Sequence, residues 1–158
     1  MANDYLKVGA VAPDLTLPGT GGVTVQLAEQ RGRWVVLFFY PKDMTAGCTR
    51  EACGFAERHD RLVAAGAVVF GLSPDPVGQH ERFVAKHELP FVLLADEDKR
   101  VSKAYGTWRL RTRGEQEYHG VARTTYVIDP AGVVATVFAD VDPRDHAAEV
   151  LTWLESHC

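Results

Sequence analysis

The most constraining feature of the sequence is a set of five short apolar segments in which apolar residues are largely continuous. They cover residues 34–40, 67–72, 91–94, 125–128 and 133–138 and are rich in β-branched and aromatic side chains. Continuous apolar runs of strand length are typical of strands that are covered on both faces. The sequence therefore predicts a buried central sheet.

Helical patterns separate these strands and decide the fold class. They cover residues 49–65, 76–87, 98–105 and 143–157, and a turn at residues 129–132 joins the last two strands as a hairpin. Strands that alternate with helices, followed by a hairpin and a helix, predict an α/β fold with three α/β/α layers around a mixed sheet.

Length, composition and charge predict a single domain over residues 1–158. The chain is 46% apolar, which suffices for one core, and it contains no apolar run long enough to cross a bilayer. The first seven residues lack the features of a signal peptide, so we expect a soluble cytoplasmic protein without a membrane partner. The net charge of -4 argues against a nucleic-acid-binding domain.

Residues 106–120 form a long polar segment that carries Arg109, Arg111 and Arg113. We predict a solvated loop there. The alternative is a loop that faces a substrate or a partner.

Cys48 is the candidate nucleophile. Proline ends the strand at residues 34–40, and a short loop leads to a helix that should begin near Gly47 or Cys48. Unpaired N–H groups and the helix dipole in a first turn favour an anion such as a thiolate. The Thr45 hydroxyl and the backbone N–H of Cys48 are candidate donors for charge that develops on a substrate oxygen.

The residue pattern alone leaves other interpretations of Cys48 open. It could be a buried core thiol, and the spacing of Cys48 and Cys53 matches neither a C-x-x-C redox motif nor a complete zinc site. In an ideal helix their Cα atoms would be about 8.6 Å apart, whereas a disulfide needs about 7 Å or less. A bond between them would therefore require the first helical turns to unwind.

Pro41, Thr45 and Cys48 meet the pattern P-x-x-x-T-x-x-C, and matching segments continue in order along residues 5–154. In these features the chain resembles the peroxiredoxins, and most closely the Q-type branch, also called bacterioferritin comigratory proteins. The resemblance implies a thioredoxin-like fold. It also implies a thiol-dependent peroxidase that reduces hydrogen peroxide and organic hydroperoxides.

The resemblance further implies a reaction cycle at two cysteines. Cys48 would attack the peroxide and become a sulfenic acid. Cys53 would resolve it as an intramolecular disulfide, which thioredoxin or a similar dithiol protein would reduce. No metal or organic cofactor is implied, and the Q-type branch favours a monomer.

The resemblance also implies roles for five residues other than the two cysteines. Arg123 would stabilise the thiolate and the peroxide oxygens together with Thr45, and Glu51 would orient Arg123. Pro41 and Gly47 would support the loop that carries these groups.

Two positions depart from the family pattern. Ala46 stands where proline is usual, so we expect a less rigid loop, and Met44 replaces a residue that is commonly small and polar. Neither belongs to the catalytic set. Cys158 matches no catalytic position, and we expect an inert thiol there.

Two rival functions remain for the sequence. One is a thiol–disulfide oxidoreductase on the same fold, although residue 51 is Glu rather than the second cysteine of C-x-x-C. The other is a non-enzymatic redox sensor in which the Cys48–Cys53 pair alters a partner interface.

Overall fold

The computed structural model describes residues 5–157, and Cys158 lies outside them. Its strands are β1 (Thr16–Pro18), β2 (Thr24–Gln26), β3 (Trp34–Phe39), β4 (Ala67–Ser73), β5 (Val92–Ala95), β6 (Trp108–Arg113), β7 (Gln116–Val121), β8 (Thr124–Ile128) and β9 (Val134–Phe138). Its helices are α1 (Ala46–Glu57), α2 (His59–Ala64), α3 (Val77–His87), α4 (Arg100–Ala104) and α5 (His146–His157). None of the helices within residues 5–157 is long and apolar enough to cross a membrane.

A mixed five-stranded sheet forms the centre, with the strand order β5–β4–β3–β8–β9. Strand β3 pairs in parallel with β4 and antiparallel with β8, and β8 and β9 form the predicted hairpin. All five predicted strands are present within one or two residues of their predicted ends. The prediction of a mixed central sheet is therefore confirmed.

Both faces of this sheet are covered by other elements. Successive side chains of β3 point to opposite faces and enter two different core clusters. Phe38 belongs to the core cluster on one face and Phe39 to the cluster on the other. The first cluster includes side chains from four helices: Phe55 of α1, Leu62 of α2, Phe83 of α3 and Leu151 of α5. The second includes Leu17 of β1, Val25 of β2 and Val101 of α4. This is the predicted three-layer arrangement.

The prediction of a loop at residues 106–120 is wrong. Most of this segment forms the β6–β7 hairpin, in which Arg113 pairs with Gln116 across a turn at Gly114, whose φ is +64°. Trp108, Leu110 and Thr112 alternate with arginines, which is a strand period. The ribbon is mostly solvated and is not part of the central sheet, so its polar composition concealed it.

The single helix predicted at residues 49–65 is also wrong, because Arg58 divides it into α1 and α2. The Arg58 guanidinium donates to the Gly54 carbonyl, with 3.1 Å from Nη1 to O. The backbone N–H of Arg58 instead bonds the Phe55 carbonyl at 3.2 Å. The Arg58 side chain thus occupies the carbonyl that a continuous helix would use.

Candidate active site

The start of α1 places Cys48 at the edge of the core. Thr45 is the N-cap residue with extended backbone, and its carbonyl accepts the Thr49 N–H at 2.9 Å. Cys48 is therefore the third residue of the helix, in the first turn as predicted, and it is only 1% exposed. Ala46 is the first helical residue, where an alanine is compatible with helix formation.

Arg123 reaches Cys48 from the irregular residues between β7 and β8. Its Nη1 atom lies 3.4 Å from the Cys48 Sγ and 2.9 Å from Glu51 Oε1. The Arg123 side chain is 18% exposed, whereas that of Glu51 is fully buried. The fold thus brings together three of the predicted site residues, and of these Arg123 is the most exposed to solvent.

Burial and opposite charge act against each other at this ion pair. Burial raises the pKa of Glu51 to about 7, although the Arg123 guanidinium acts in the opposite direction. Burial by itself would lower the pKa of Arg123, but Cys48 and Glu51 outweigh it and raise that pKa. The guanidinium therefore stays charged beside the sulfur.

The remaining loop residues lie around this centre. Thr45 is exposed, and its hydroxyl donates to the Lys42 carbonyl at 3.1 Å. A Cβ atom at Gly47 would lie 3.0 Å from Arg123 Nη2, so the glycine allows the guanidinium to approach the helix. Pro41 lies two residues beyond the end of β3 and is exposed.

Cys53 lies on α1 but away from Cys48. It is partly exposed in a pocket lined by Arg50, Arg58 and Arg144, and both cysteines are free thiols. Burial, and then the neighbouring Glu57 charge, raise the pKa of the Cys53 thiol. Because α1 is continuous from Ala46 to Glu57, the helix spacing of about 8.6 Å applies and excludes a disulfide in this conformation.

Sequence reasoning missed His146, the first residue of α5. Its Nε2 atom lies 2.5 Å from Thr125 Oγ1 and 4.0 Å from Glu51 Oε2, which has no hydrogen-bond partner within residues 5–157. Burial lowers the pKa of His146, so the ring is neutral near pH 7. A lone histidine in a helical pattern carries no signal of this contact across α1, β8 and α5.

We expect the free energy of unfolding of the protein to fall as the pH rises from about 4.5 to 7. A carboxyl whose pKa rises on folding favours the folded state while it is protonated, and this advantage disappears as the pH passes the folded value. The rise from 4.5 to about 7 at Glu51 corresponds to about 3 kcal/mol. Urea unfolding at about pH 5 and 8 should show this loss in wild type and a flatter profile in Glu51→Gln. Parallel pH profiles of the two proteins would contradict it.

Comparisons with known proteins agree with this geometry. Residues 8–137 match the AhpC/TSA family. The chain is 42% identical to peroxiredoxin Bcp of Bacillus subtilis over 150 residues, covering 95% of this chain and 96% of the relative. It is 40% identical to peroxiredoxin Bcp of Escherichia coli over 152 residues, covering 96% and 97%.

A solved structure confirms the predicted thioredoxin-like fold. The bacterioferritin comigratory protein of Xanthomonas campestris superposes with a TM-score of 0.89 at 33% identity, covering 96% of this chain and 97% of that one. That protein is described by its alkyl peroxide reduction activity and by trapped intermediate and ligand complexes. The chain therefore belongs to the AhpC/TSA family, as a peroxiredoxin of the Bcp type and a thiol-dependent peroxidase.

Proposed function

We propose that Cys48 is the peroxidatic cysteine, that Cys53 resolves it, and that a dithiol protein such as thioredoxin completes the cycle. The observation that carries the proposal is the shared guanidinium. A single nitrogen of Arg123 contacts both the Cys48 sulfur and the Glu51 carboxylate.

In the first step the Cys48 thiolate attacks one peroxide oxygen. An S–O bond forms, the O–O bond breaks, and the leaving oxygen takes a proton and departs as water or an alcohol. Negative charge moves from sulfur to the leaving oxygen, so a fixed cation and the N–H groups at the start of α1 stabilise the transition state. Arg123 supplies the cation. The Thr45 hydroxyl donates its hydrogen to the Lys42 carbonyl, so it stabilises the leaving oxygen only after it leaves that carbonyl.

The second step joins Cys53 to the oxidised Cys48. The Cys53 sulfur attacks the sulfenic sulfur, a disulfide forms, and the hydroxyl leaves as water. Since α1 separates the two residues by about 8.6 Å, its first turns must unwind before this step. Unwinding also moves Cys53 away from the burial that raises its pKa, which makes its thiolate more accessible.

We expect Cys53→Ser to reduce about one equivalent of peroxide and then to stop. Without a partner thiol, the Cys48 sulfenic acid persists or is oxidised further. Mass spectrometry after one equivalent of hydrogen peroxide should show a Cys48–Cys53 disulfide in wild type and a sulfenic acid at Cys48 in the variant. Sustained turnover of Cys53→Ser with thioredoxin would mean that a thiol other than Cys53 resolves Cys48, with Cys158 as the first candidate.

Hydrogen exchange provides the matched conformational measurement. Amides between residues 45 and 54 should exchange faster in the wild-type disulfide form than in the reduced form, whereas oxidised Cys53→Ser should retain the protection of the reduced protein. Equal protection in both wild-type forms, with the disulfide confirmed by mass, would exclude the unwinding step.

The substrate, assembly and location complete the proposal. The alkyl peroxide activity of the Xanthomonas campestris relative supports organic hydroperoxides as substrates beside hydrogen peroxide. Met44, 36% exposed in the loop before α1, offers an apolar contact for such a substrate. The protein would act as a monomeric single domain in the cytoplasm, where thiols are kept reduced.

A further inference from the structure

A buried polar network lies behind the loop that precedes α1. Asp43 in this loop accepts a hydrogen bond from the Tyr40 hydroxyl, with 2.6 Å to Oδ1. Its other oxygen, Oδ2, lies 2.6 Å from Nδ1 of His80 on α3. The Nε2 atom of His80 lies 2.9 Å from the carbonyl oxygen of Leu94 on β5. Asp43 is 2% exposed and His80 is completely buried.

These contacts fix where the hydrogens lie. The Leu94 carbonyl can only accept, so Nε2 of His80 carries a hydrogen. The hydrogen bond between Nδ1 of His80 and Oδ2 of Asp43 then contains one shared proton, because Oδ1 of Asp43 already accepts from Tyr40. The pair is complete only when both residues are present, and removing either leaves a buried polar group without its partner.

The same network is unsuited to a metal ion. Oxygen and nitrogen atoms of Asp43, Asp75 and His80 lie within 4.8 Å of one another. However, Asp75 Oδ2 accepts both the Asp43 backbone N–H and the Ser73 hydroxyl, each at 2.7 Å. Both oxygens of Asp43 are also occupied by protein hydrogens. The donor set is therefore satisfied within the chain.

The buried polar network stabilises the turn at residues 42–45, which leads to Cys48. Asp43 is fixed through its backbone N–H and both carboxylate oxygens. Met44, the next residue, has a φ of +68°, a left-handed conformation that is unfavourable for residues other than glycine. Thr45 follows as the N-cap of α1. A turn with this backbone strain persists only where surrounding contacts stabilise it, and the hydrogen bonds of Asp43 supply those contacts.

We propose that His80 is a positioning residue for the reaction at Cys48. Through Asp43 it holds the turn at residues 42–45, and so sets the place of Thr45 and of the first N–H groups of α1. The role rests on the proposed function of Cys48 and Thr45, and His80 itself touches neither the thiol nor the peroxide.

The test compares the rate at which peroxide oxidises Cys48 in Asp43→Asn, His80→Gln and the double variant, measured by stopped-flow in a single turnover. Each single variant should react at least about tenfold more slowly. The double variant should be no slower than the slower single variant, because both remove the same interaction. Reduction of the Cys48–Cys53 disulfide by dithiothreitol should keep its wild-type rate in all three, because that step does not use the turn.

A control separates positioning from loss of stability. Leu89→Ala removes a buried apolar side chain just after α3 that belongs to the core cluster. It should lower the free energy of unfolding and leave the peroxide rate unchanged. The proposal is overturned if Leu89→Ala slows peroxide oxidation to a similar extent, or if Asp43→Asn and His80→Gln both react at the wild-type rate. In either case continued turnover by the unmutated protein would still support the peroxidase function.

An NMR measurement on the wild-type protein tests the proposal even if the variants do not fold. In the NMR spectrum of the wild type, the hydrogen between Nδ1 of His80 and Oδ2 of Asp43 should resonate far downfield because this hydrogen bond is short. Absence of that resonance in the wild type rejects the network. The milder variant Tyr40→Phe, which removes one hydrogen bond to Asp43, should slow peroxide oxidation severalfold, and an unchanged rate there counts against the proposal.

Discussion

Cys48→Ser is expected to lower peroxide consumption to the background level, below about 1% of wild type. A serine hydroxyl is not ionised near neutral pH and forms no sulfenic acid, so the first step has no nucleophile. The fold offers no substitute within residues 5–157, because Cys53 lies on α1 away from Arg123 and its pKa is raised by burial. The measurement is steady-state loss of hydrogen peroxide with dithiothreitol as the reductant.

Cys158→Ser serves as the matched control for this experiment, since it removes a thiol that the proposed mechanism does not use. It should retain the full rate. Undiminished consumption by Cys48→Ser would remove Cys48 from the mechanism. Sustained consumption of many equivalents of peroxide by wild type, while reductant remains, is the behaviour expected of a peroxidase.

The local features of the site could be predicted because they depend on residues close together in the chain. A strand that ends at a proline, a short loop and a following apolar helical period together predict a helix start near Cys48. The structure confirms this start, with Thr45 as the N-cap. Such features follow from neighbouring residues and the helix period alone.

The contacts across the fold could not be predicted from residue patterns. Arg123 lies 75 positions beyond Cys48, and only the family resemblance associated the two. His146 and His80 are single histidines within helical patterns, where nothing in the sequence distinguishes a buried partner from a surface residue. Their roles depend on which elements pack together, and that packing is a property of the whole sheet.

The two incorrect predictions have different physical origins. The arginines of the β6–β7 hairpin suggested a loop, although the alternation of Trp108 and Leu110 with charged residues indicated a strand. At Arg58 the helical period continues in the sequence, but a guanidinium takes the carbonyl that the backbone would use. The strand period of the hairpin was thus present in the sequence and was concealed by its polar composition, whereas the break at Arg58 depends on a side-chain interaction that the helical period does not contain.

Arg123→Lys is expected to slow the oxidation of Cys48 by peroxide by about 30-fold to 1,000-fold, which corresponds to about 2–4 kcal/mol of transition-state stabilisation. The charge is retained, but the geometry is lost. The planar guanidinium presents fixed N–H groups, and Nη1 contacts Cys48 and Glu51 at 3.4 Å and 2.9 Å. An ammonium group is a mobile point charge that cannot hold both groups and a peroxide oxygen in one plane.

The loss should appear in the single-turnover rate constant and leave the resolution step by Cys53 unchanged. Arg61→Lys is the matched control, because it makes the same replacement in an exposed ion pair with Glu155 at 2.8 Å, and it should react at the wild-type rate. A rate for Arg123→Lys within about threefold of wild type would mean that charge alone suffices. The close approach of the guanidinium to Gly47 would then have no part in transition-state stabilisation.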